Sequence, residues 1–365
     1  MNILQICLFP NDNDRINLGA ATMEGHPMPA ANQMHAAVLD APNASFKLVK
    51  IARPIPRSDE VLVRIKASGV NPLDLKIQAG QAPHARQPLP AVLGIDLAGV
   101  VEAVGREVSA FRRGDEVFGM TGGVGGVQGS LAEYAAVDAA LLAKKPANLS
   151  MREAAALPLI FITAWEGLVD RAHVGAGQKV LIQGGAGGVG HVAIQIARAF
   201  GADVFATGSV DSLAFIARLG ATPIDYTTQT VEDCVALHTQ GRGFDLVFDT
   251  VGGATLDASF KAVRRFGHVV SALGWGTHAL APLSFRAATY SGVFTLLPLL
   301  SGEGRAHHGE ILREATRLVE AGQLVPRLDP RRFTLSSIGE AYAAQRDRAA
   351  GKVVVDVDAA SAAAQ

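Results

Sequence analysis

The 365-residue sequence predicts an α/β protein in two parts: a β-rich, partly closed barrel, then a doubly wound parallel sheet covered by helices. Three observations carry this expectation. Residues 34–145 hold short β-branched runs separated by Pro, Gly and Asn/Asp. From about residue 151, strand-like and helix-like segments alternate. A glycine-rich heptapeptide, GGAGGVG (184–190), lies where one such strand passes into a helix.

Taken in order, ILQICLF (3–9) has no basic flank and runs into NDNDR, so it is a poor signal peptide and too short to span a membrane. Residues 10–33 are polar or small, with three prolines, and residues 1–33 are expected to be a disordered extension. Met34 opens the strand-like MHAAVL. FKLVKIARP, EVLVRIKASGV, AGVVEAVG, GDEVFGM and AEYAAVD continue the β pattern. MREAAALPLIFITAWEGLVDRA (151–172) has helical spacing and ends at VGAGQ. Strands KVLIQ (179–183), DVFATG (203–208), TPIDY, FDLVFDTVG (244–252) and HVVSALG (268–274) then alternate with helical VAIQIARAFG, SLAFIARLG, VEDCVALHTQ and ATLDASFKAVRRF. An amphipathic helix over 305–322, a helical RFTLSSIGEAYAAQRD and a strand KVVVDV follow, and KVVVDV is expected to return to the first part. The tail 359–365 should fray. The domain division is therefore 34–157, 158–300 and a return over 301–358.

Hydrophobic residues make up 49% and charged residues 18%, enough for a large core. A net charge of −1 with mixed signs argues against nucleic-acid or anionic-membrane partners. Two distant cysteines, Cys7 and Cys234, exclude a disulfide framework or a four-cysteine zinc lobe and suit a reducing, cytoplasmic setting.

The run Gly185-Ala186-Gly187-Gly188-Val189-Gly190 satisfies GxGxxG between a strand and a helix. Gly185 permits the tight turn, Gly187 admits a pyrophosphate to the backbone, and Gly190 lets the helix pack closely on the strand. The helix N-terminus then faces the anion. The next strand ends Ala206-Thr207-Gly208-Ser209 with no carboxylate to repel a 2′-phosphate, and Ser209 can donate to one. NADPH is therefore expected in preference to NADH. Asp211 is expected to cap the following helix. His191 reads as a surface residue and His307-His308 as a solvated pair. Trp165 and Trp275 either wall an apolar pocket or pack in the core.

LGIDLAGVVEAVG (93–105), GDEVFGM (114–120), ALPLIFITAWEGL (156–168), the glycine loop, FDTVGG (248–253) and GKVVV (351–355) occur in one order. Together they resemble the medium-chain dehydrogenase/reductase superfamily over nearly all of 34–358, within its zinc-independent quinone oxidoreductase and enone reductase branch. The resemblance implies a GroES-like catalytic domain, a Rossmann domain, a cofactor in the cleft between them, and a homodimer. In zinc alcohol dehydrogenases of that superfamily, metal ligands occupy stretches that read here Gly69-Val70-Asn71-Pro72, Gly94-Ile95-Asp96 and Pro158-Leu159-Ile160. Asn71, Ile95 and Leu159 stand at the ligand positions, so no zinc site is expected.

A hydride acceptor reduced without a metal must spread negative charge itself, as quinones and conjugated enals or enones do. NPLDLKIQAG (71–80) resembles the family's NPxDxK segment. It implies that Asn71 donates from its amide and that Lys76 polarises the carbonyl; the residues alone read as an Asn-Pro turn, a short helix capped by Asp74 and a solvated Lys76. The resemblance further places Thr163, Val251, Leu273 and Phe294 by the nicotinamide and Tyr226 by the adenosine phosphate. An enoyl-thioester reductase and a non-catalytic NADPH-binding protein remain alternatives.

Overall fold

The computed structural model describes residues 32–357. Most of the expected extension, Cys7 and the tail thus lie outside the described residues. Residues 32 and 33 are already ordered by pairing. β1 (Gln33–Leu39) begins opposite Ala52 of β2 (Lys47–Ala52), and the Asn32 carbonyl accepts the Arg53 N–H at 2.9 Å.

The β-rich part is walled by two sheets. The smaller has the order β2-β1-β4, with β4 at Ala91–Val92. The larger centres on β3 (Glu60–Gly69), β5 (Asp96–Val104) and β6 (Glu116–Met120), with β7 (Tyr134–Asp138) on β3 and β8 (Leu142–Lys144) on β6. β1 joins the walls through the Ala36–Ala132 bridge and the Ala37 N–H to Leu131 carbonyl bond of 2.8 Å. Alternate residues of β3 (Val61, Val63, Ile65, Ala67) are fully buried, the period-two pattern that selects a strand. After β3 the chain turns at Asn71 into the short helix α1 (Pro72–Gln78), started by Pro72 and by the Asn71 N–H bonding Asp74 Oδ2 at 2.7 Å.

Two helices, α2 (Met151–Ala155) and α3 (Pro158–Trp165), replace the single expected one, because Pro158 starts a new helix rather than continuing the old. α3 runs into a π-turn over Glu166–Arg171.

Beyond it lies a six-stranded sheet, parallel throughout, of order β11-β10-β9-β12-β13-β14. The strands are β9 (Lys179–Gln183), β10 (Asp203–Gly208), β11 (Thr222–Asp225), β12 (Phe244–Asp249), β13 (Val263–Ser271) and β14 (Thr289–Gly292). Counted from its own first strand the order is 3-2-1-4-5-6, which places a switch point between β9 and β12. Helices α4 (Gly188–Ala199), α5 (Val210–Arg218), α6 (Val231–Thr239) and α7 (Ala254–Ala262) separate the strands, and α8 (Ala281–Ser284) and α9 (Leu297–Ser301) are single turns. α7 stops at Ala262, so the expected helical VRRF instead opens β13. Ser209, not Asp211, is the N-cap of α5; Asp211 sits in its first turn.

The chain then crosses back. α10 (Arg305–Glu320) packs on β8 and α3, its buried stripe being Ile311, Leu312, Ala315, Leu318 and Val319. α11 (Ile338–Arg346) follows β15 (Phe333–Thr334), and β16 (Val354–Asp356) lies antiparallel to β3, Val354 opposite Gly69. This pairing brings the segment before β16 beside the residues after β3.

Candidate active site

The glycine loop follows β9 at the switch point. Its left-handed residue is Gly184 (φ +73°), whereas Gly185 has ordinary backbone and is needed for another reason: a Cβ there would lie 2.6 Å from Ala206 Cβ. At Gly190 a Cβ would lie 2.1 Å from the Gly184 carbonyl oxygen, so the start of α4 can seat on the loop only with glycine. The loop is held to β10 by the Gly185 N–H to Thr207 carbonyl bond (2.8 Å) and the Gly184 N–H to Thr207 Oγ1 bond (3.0 Å). Ala186, Gly187, Gly188 and Val189 line a cleft of about 700 Å³ between the sheet and the β-rich part. The N-terminus of α4, positive by its dipole, opens into that cleft.

The opposite wall carries Asn71 and Lys76, and Thr163, Leu273 and Phe294 complete it. Lys76 is exposed at the rim, beside His84, whose pKa burial and the Lys76 charge lower. Asn71 is fully buried. Gly185, Gly190, Ser209, Tyr226 and Val251 do not line this cleft; Tyr226 and Val251 are surface-exposed, at 62% and 48%. Trp165 packs between Phe161 and Phe200 in the core, whereas Trp275 stacks on His84 with ring centres 5.3 Å apart and walls the cleft with Phe294.

Asn71 belongs to a buried polar cluster. Its Nδ2 donates to Asp96 Oδ2 at 2.9 Å, and the Leu159 N–H donates to Asp96 Oδ1 at 2.9 Å. Lys352 Nζ donates to Asn71 Oδ1 and lies 3.6 Å from Asp96 Oδ2. The three stretches that could have held a metal thus converge on one carboxylate, and both its oxygens are engaged by protein donors. Burial pushes the Asp96 carboxyl up and the Lys352 ammonium down, each opposed by the other's charge. Asp74, also wholly buried, is pushed up to about 7, chiefly by desolvation. Among the described residues no group of three or more His, Cys, Asp or Glu side chains is arranged to hold a metal ion.

Sequence reasoning missed Lys352. It lies 281 residues from Asn71 and reads only as the start of the terminal strand; the β16–β3 pairing makes them neighbours. Two histidines also differ from expectation. His191 is buried on α4, its Nδ1 bonded to the Gly187 carbonyl at 3.0 Å and its Nε2 accepting the Arg327 N–H at 3.3 Å. Burial lowers its pKa to about 4, so the ring is neutral at ordinary pH. His308 is 1% exposed, because α10 turns that face onto the end of α3; His307 is at the surface as expected.

Residues 57–147 match the model of the alcohol dehydrogenase GroES-like domain, and residues 219–355 match that of zinc-binding dehydrogenases. An NADPH-dependent alkenal/one oxidoreductase, chloroplastic, from Arabidopsis thaliana is 37% identical over 314 residues, 84% of this chain and 74% of that protein. A quinone oxidoreductase from Homo sapiens is 30% identical over 295 residues, 80% of this chain and 87% of that protein. The crystal structure of an alcohol dehydrogenase superfamily protein from Novosphingobium aromaticivorans superposes with a TM-score of 0.88 at 64% identity, covering 89% of this chain and all of that one.

Proposed function

The chain belongs to the medium-chain dehydrogenase/reductase superfamily, in its quinone oxidoreductase and enone reductase branch, and on that premise we propose that it is an NADPH-dependent, zinc-independent reductase of quinones or α,β-unsaturated carbonyls. The observation that carries the reading is the meeting, in one cleft, of a glycine loop at a helix N-terminus with the Asn71–Asp96–Lys352 cluster.

The residues do not fit a catalytic zinc. Asn71, Ile95 and Leu159 offer no ligand set, and Asp96 already accepts from Asn71 and Leu159 and is compensated by Lys352. They do fit a dinucleotide. Gly187 is the N-cap of α4 and no side chain caps the helix, so its first turn is left to face a pyrophosphate. Ser209, at the end of β10, and Tyr226, just past β11, are the groups we assign to the adenosine phosphate. Thr163, Val251, Leu273 and Phe294 are assigned to the nicotinamide half. NADPH bound there supplies the hydride.

The chain's own residues do the rest. Leu73, Leu159, Ile160, Val293 and Phe294 exclude water from the cleft, which strengthens every hydrogen bond made within it. The Asn71 amide has one hydrogen engaged by Asp96, and its second is the donor assigned to the oxygen that becomes negative. Lys352 and Asp96 fix the plane of that amide, one on its oxygen and one on its nitrogen. Lys76 adds a positive charge at the rim.

We divide the chain into a catalytic part (34–157 with 301–358) and a cofactor-binding part (158–300), and read it as a cytoplasmic homodimer. That no described helix is long and apolar enough to cross a membrane, and that β14 ends its sheet as an open edge, are in keeping with this. Light scattering of the purified protein checks the dimer. The function is checked by following NADPH oxidation with quinones, enones and enals. Activity confined to enoyl thioesters, or NADPH binding with no turnover, rejects the proposal.

A further inference from the structure

The proposed reaction consumes a proton as well as a hydride, and Asn71, held by Asp96 and Lys352, is a hydrogen-bond donor but not a proton source. A second chain of polar groups leads from the cleft into the protein. Thr163 and Thr295 both line the cleft, are each 7% exposed, and stand with hydroxyl oxygens 3.1 Å apart. Thr295 Oγ1 donates to Glu166 Oε2 at 2.9 Å. Glu166 opens the π-turn, a local widening of the helix that recurs at functional sites. Its other oxygen, Oε1, lies 3.4 Å from Nε2 of His308, within ion-pair reach though not aligned as a hydrogen bond. Neither ring nitrogen of His308 has a hydrogen-bond partner, and the residue is 1% exposed. A buried imidazole without partners is costly unless it serves a purpose.

We infer that Thr295, Glu166 and His308 form a proton relay that delivers the proton completing reduction in this cleft. The inference rests on the reductase reading above. Hydride from the nicotinamide cofactor adds to the β-carbon of an enone or to a quinone, which leaves an enolate or phenolate oxygen. The Thr295 hydroxyl gives that oxygen its proton as it takes one back through the Glu166 carboxylate. The proton that passes through Glu166 comes from protonated His308, so Glu166 ends as the carboxylate it began as, and His308 regains its proton from water. The substrate thus gains one hydride and one proton, and the protein returns to its starting state. Thr163 donates its hydroxyl hydrogen to the Leu159 carbonyl at 2.7 Å, so toward Thr295 its oxygen is an acceptor only.

The charged groups around this chain are accounted for. His307, next to His308, is bonded at 2.8 Å to Asp170 and at 3.2 Å to Glu310. Arg305 pairs with Asp138 at 3.1 Å, and Lys144 on β8 with Asp115 at 3.3 Å. Glu166 is thus the acid that faces His308 in an ion-pair contact.

The test compares wild type with Glu166→Gln, which keeps a hydrogen-bond acceptor for Thr295 but cannot pass a proton. Turnover is measured with NADPH and two acceptors, kcat and KM being taken separately. One is an enone. The other is a tetrahalogenated quinone, whose acidic hydroquinone leaves as the anion and needs no protein proton. A relay predicts that kcat for the enone falls about tenfold or more, with KM for NADPH within about twofold. Turnover of the halogenated quinone is retained. A His308→Asn variant should repeat the pattern. Equal losses on both acceptors, or an unchanged kcat for the enone, overturn the relay and leave Glu166 a structural residue. Failure of wild type to turn over either acceptor overturns the reductase reading itself.

Discussion

Replacing Lys352 by Met removes the cation from the buried cluster and keeps its apolar length. Lys352 is 6% exposed and Asp96 not at all, with 3.6 Å between Nζ and Oδ2. At an effective dielectric near 20 that separation corresponds to roughly 4–5 kcal/mol. Breaking one partner from a buried pair costs about 3–5 kcal/mol, because the other charge is left uncompensated. Here Asp74 adds a second carboxyl close by. Lys352→Met should therefore lower the unfolding free energy by about 3–5 kcal/mol at neutral pH, read as a shift in urea midpoint at unchanged slope. Adding Asp96→Asn should recover about 1–3 kcal/mol, since no orphaned charge remains. A loss under about 1 kcal/mol for the single variant, or no recovery in the double, would refute the idea that Lys352 compensates Asp96.

Four further outcomes follow from the same geometry. Asp74 is an acid whose folded pKa is raised from 3.8 to about 7, so its neutral form favours the fold, and the stability it lends falls as pH rises between those values and then levels off. Asp74→Asn should therefore gain on wild type across that window, by up to a few kcal/mol at about 1.4 kcal/mol per pKa unit, in denaturant melts at several pH values; a flat difference contradicts it. Gly190→Ala puts a methyl 2.1 Å from the Gly184 oxygen and should abolish NADPH binding followed by nicotinamide fluorescence; unchanged affinity would mean the loop is not the cofactor site. Trp275→Ala removes one aromatic wall of the cleft and should raise KM for aromatic quinones about three- to tenfold, the value of one ring contact, with little change for small enals. Asn71→Ala should lower kcat by about two orders of magnitude, the usual loss of one oxyanion donor, with NADPH affinity kept.

The centre of the parallel sheet was legible in the sequence because β9, β10, β12 and β13 hold buried apolar runs, whereas the edge strand β14 (TYSG) has no buried residue and gave no signal. GGAGGVG was legible because its neighbours on both sides declared a strand and a helix. What sequence periodicity could not show is which distant segments meet. Lys352 reaches Asn71 only through the β16–β3 pairing, and Glu166 reaches His308 only because α10 packs across α3. Helix edges moved where one residue overrides a pattern, as Pro158 divides the expected helix over 151–172. His191 and His308 were read as surface groups because polarity was weighed without packing. Each lies on the buried face of its helix, and only His191 is bonded there.

The most direct test of the central claim is NADPH oxidation by the chelator-treated, metal-analysed protein with an enone and a quinone as acceptors. Turnover of at least one acceptor is expected, at a rate unchanged by chelation. Loss of activity on chelation with recovery on added zinc, or no oxidation with either acceptor despite tight NADPH binding, would contradict it.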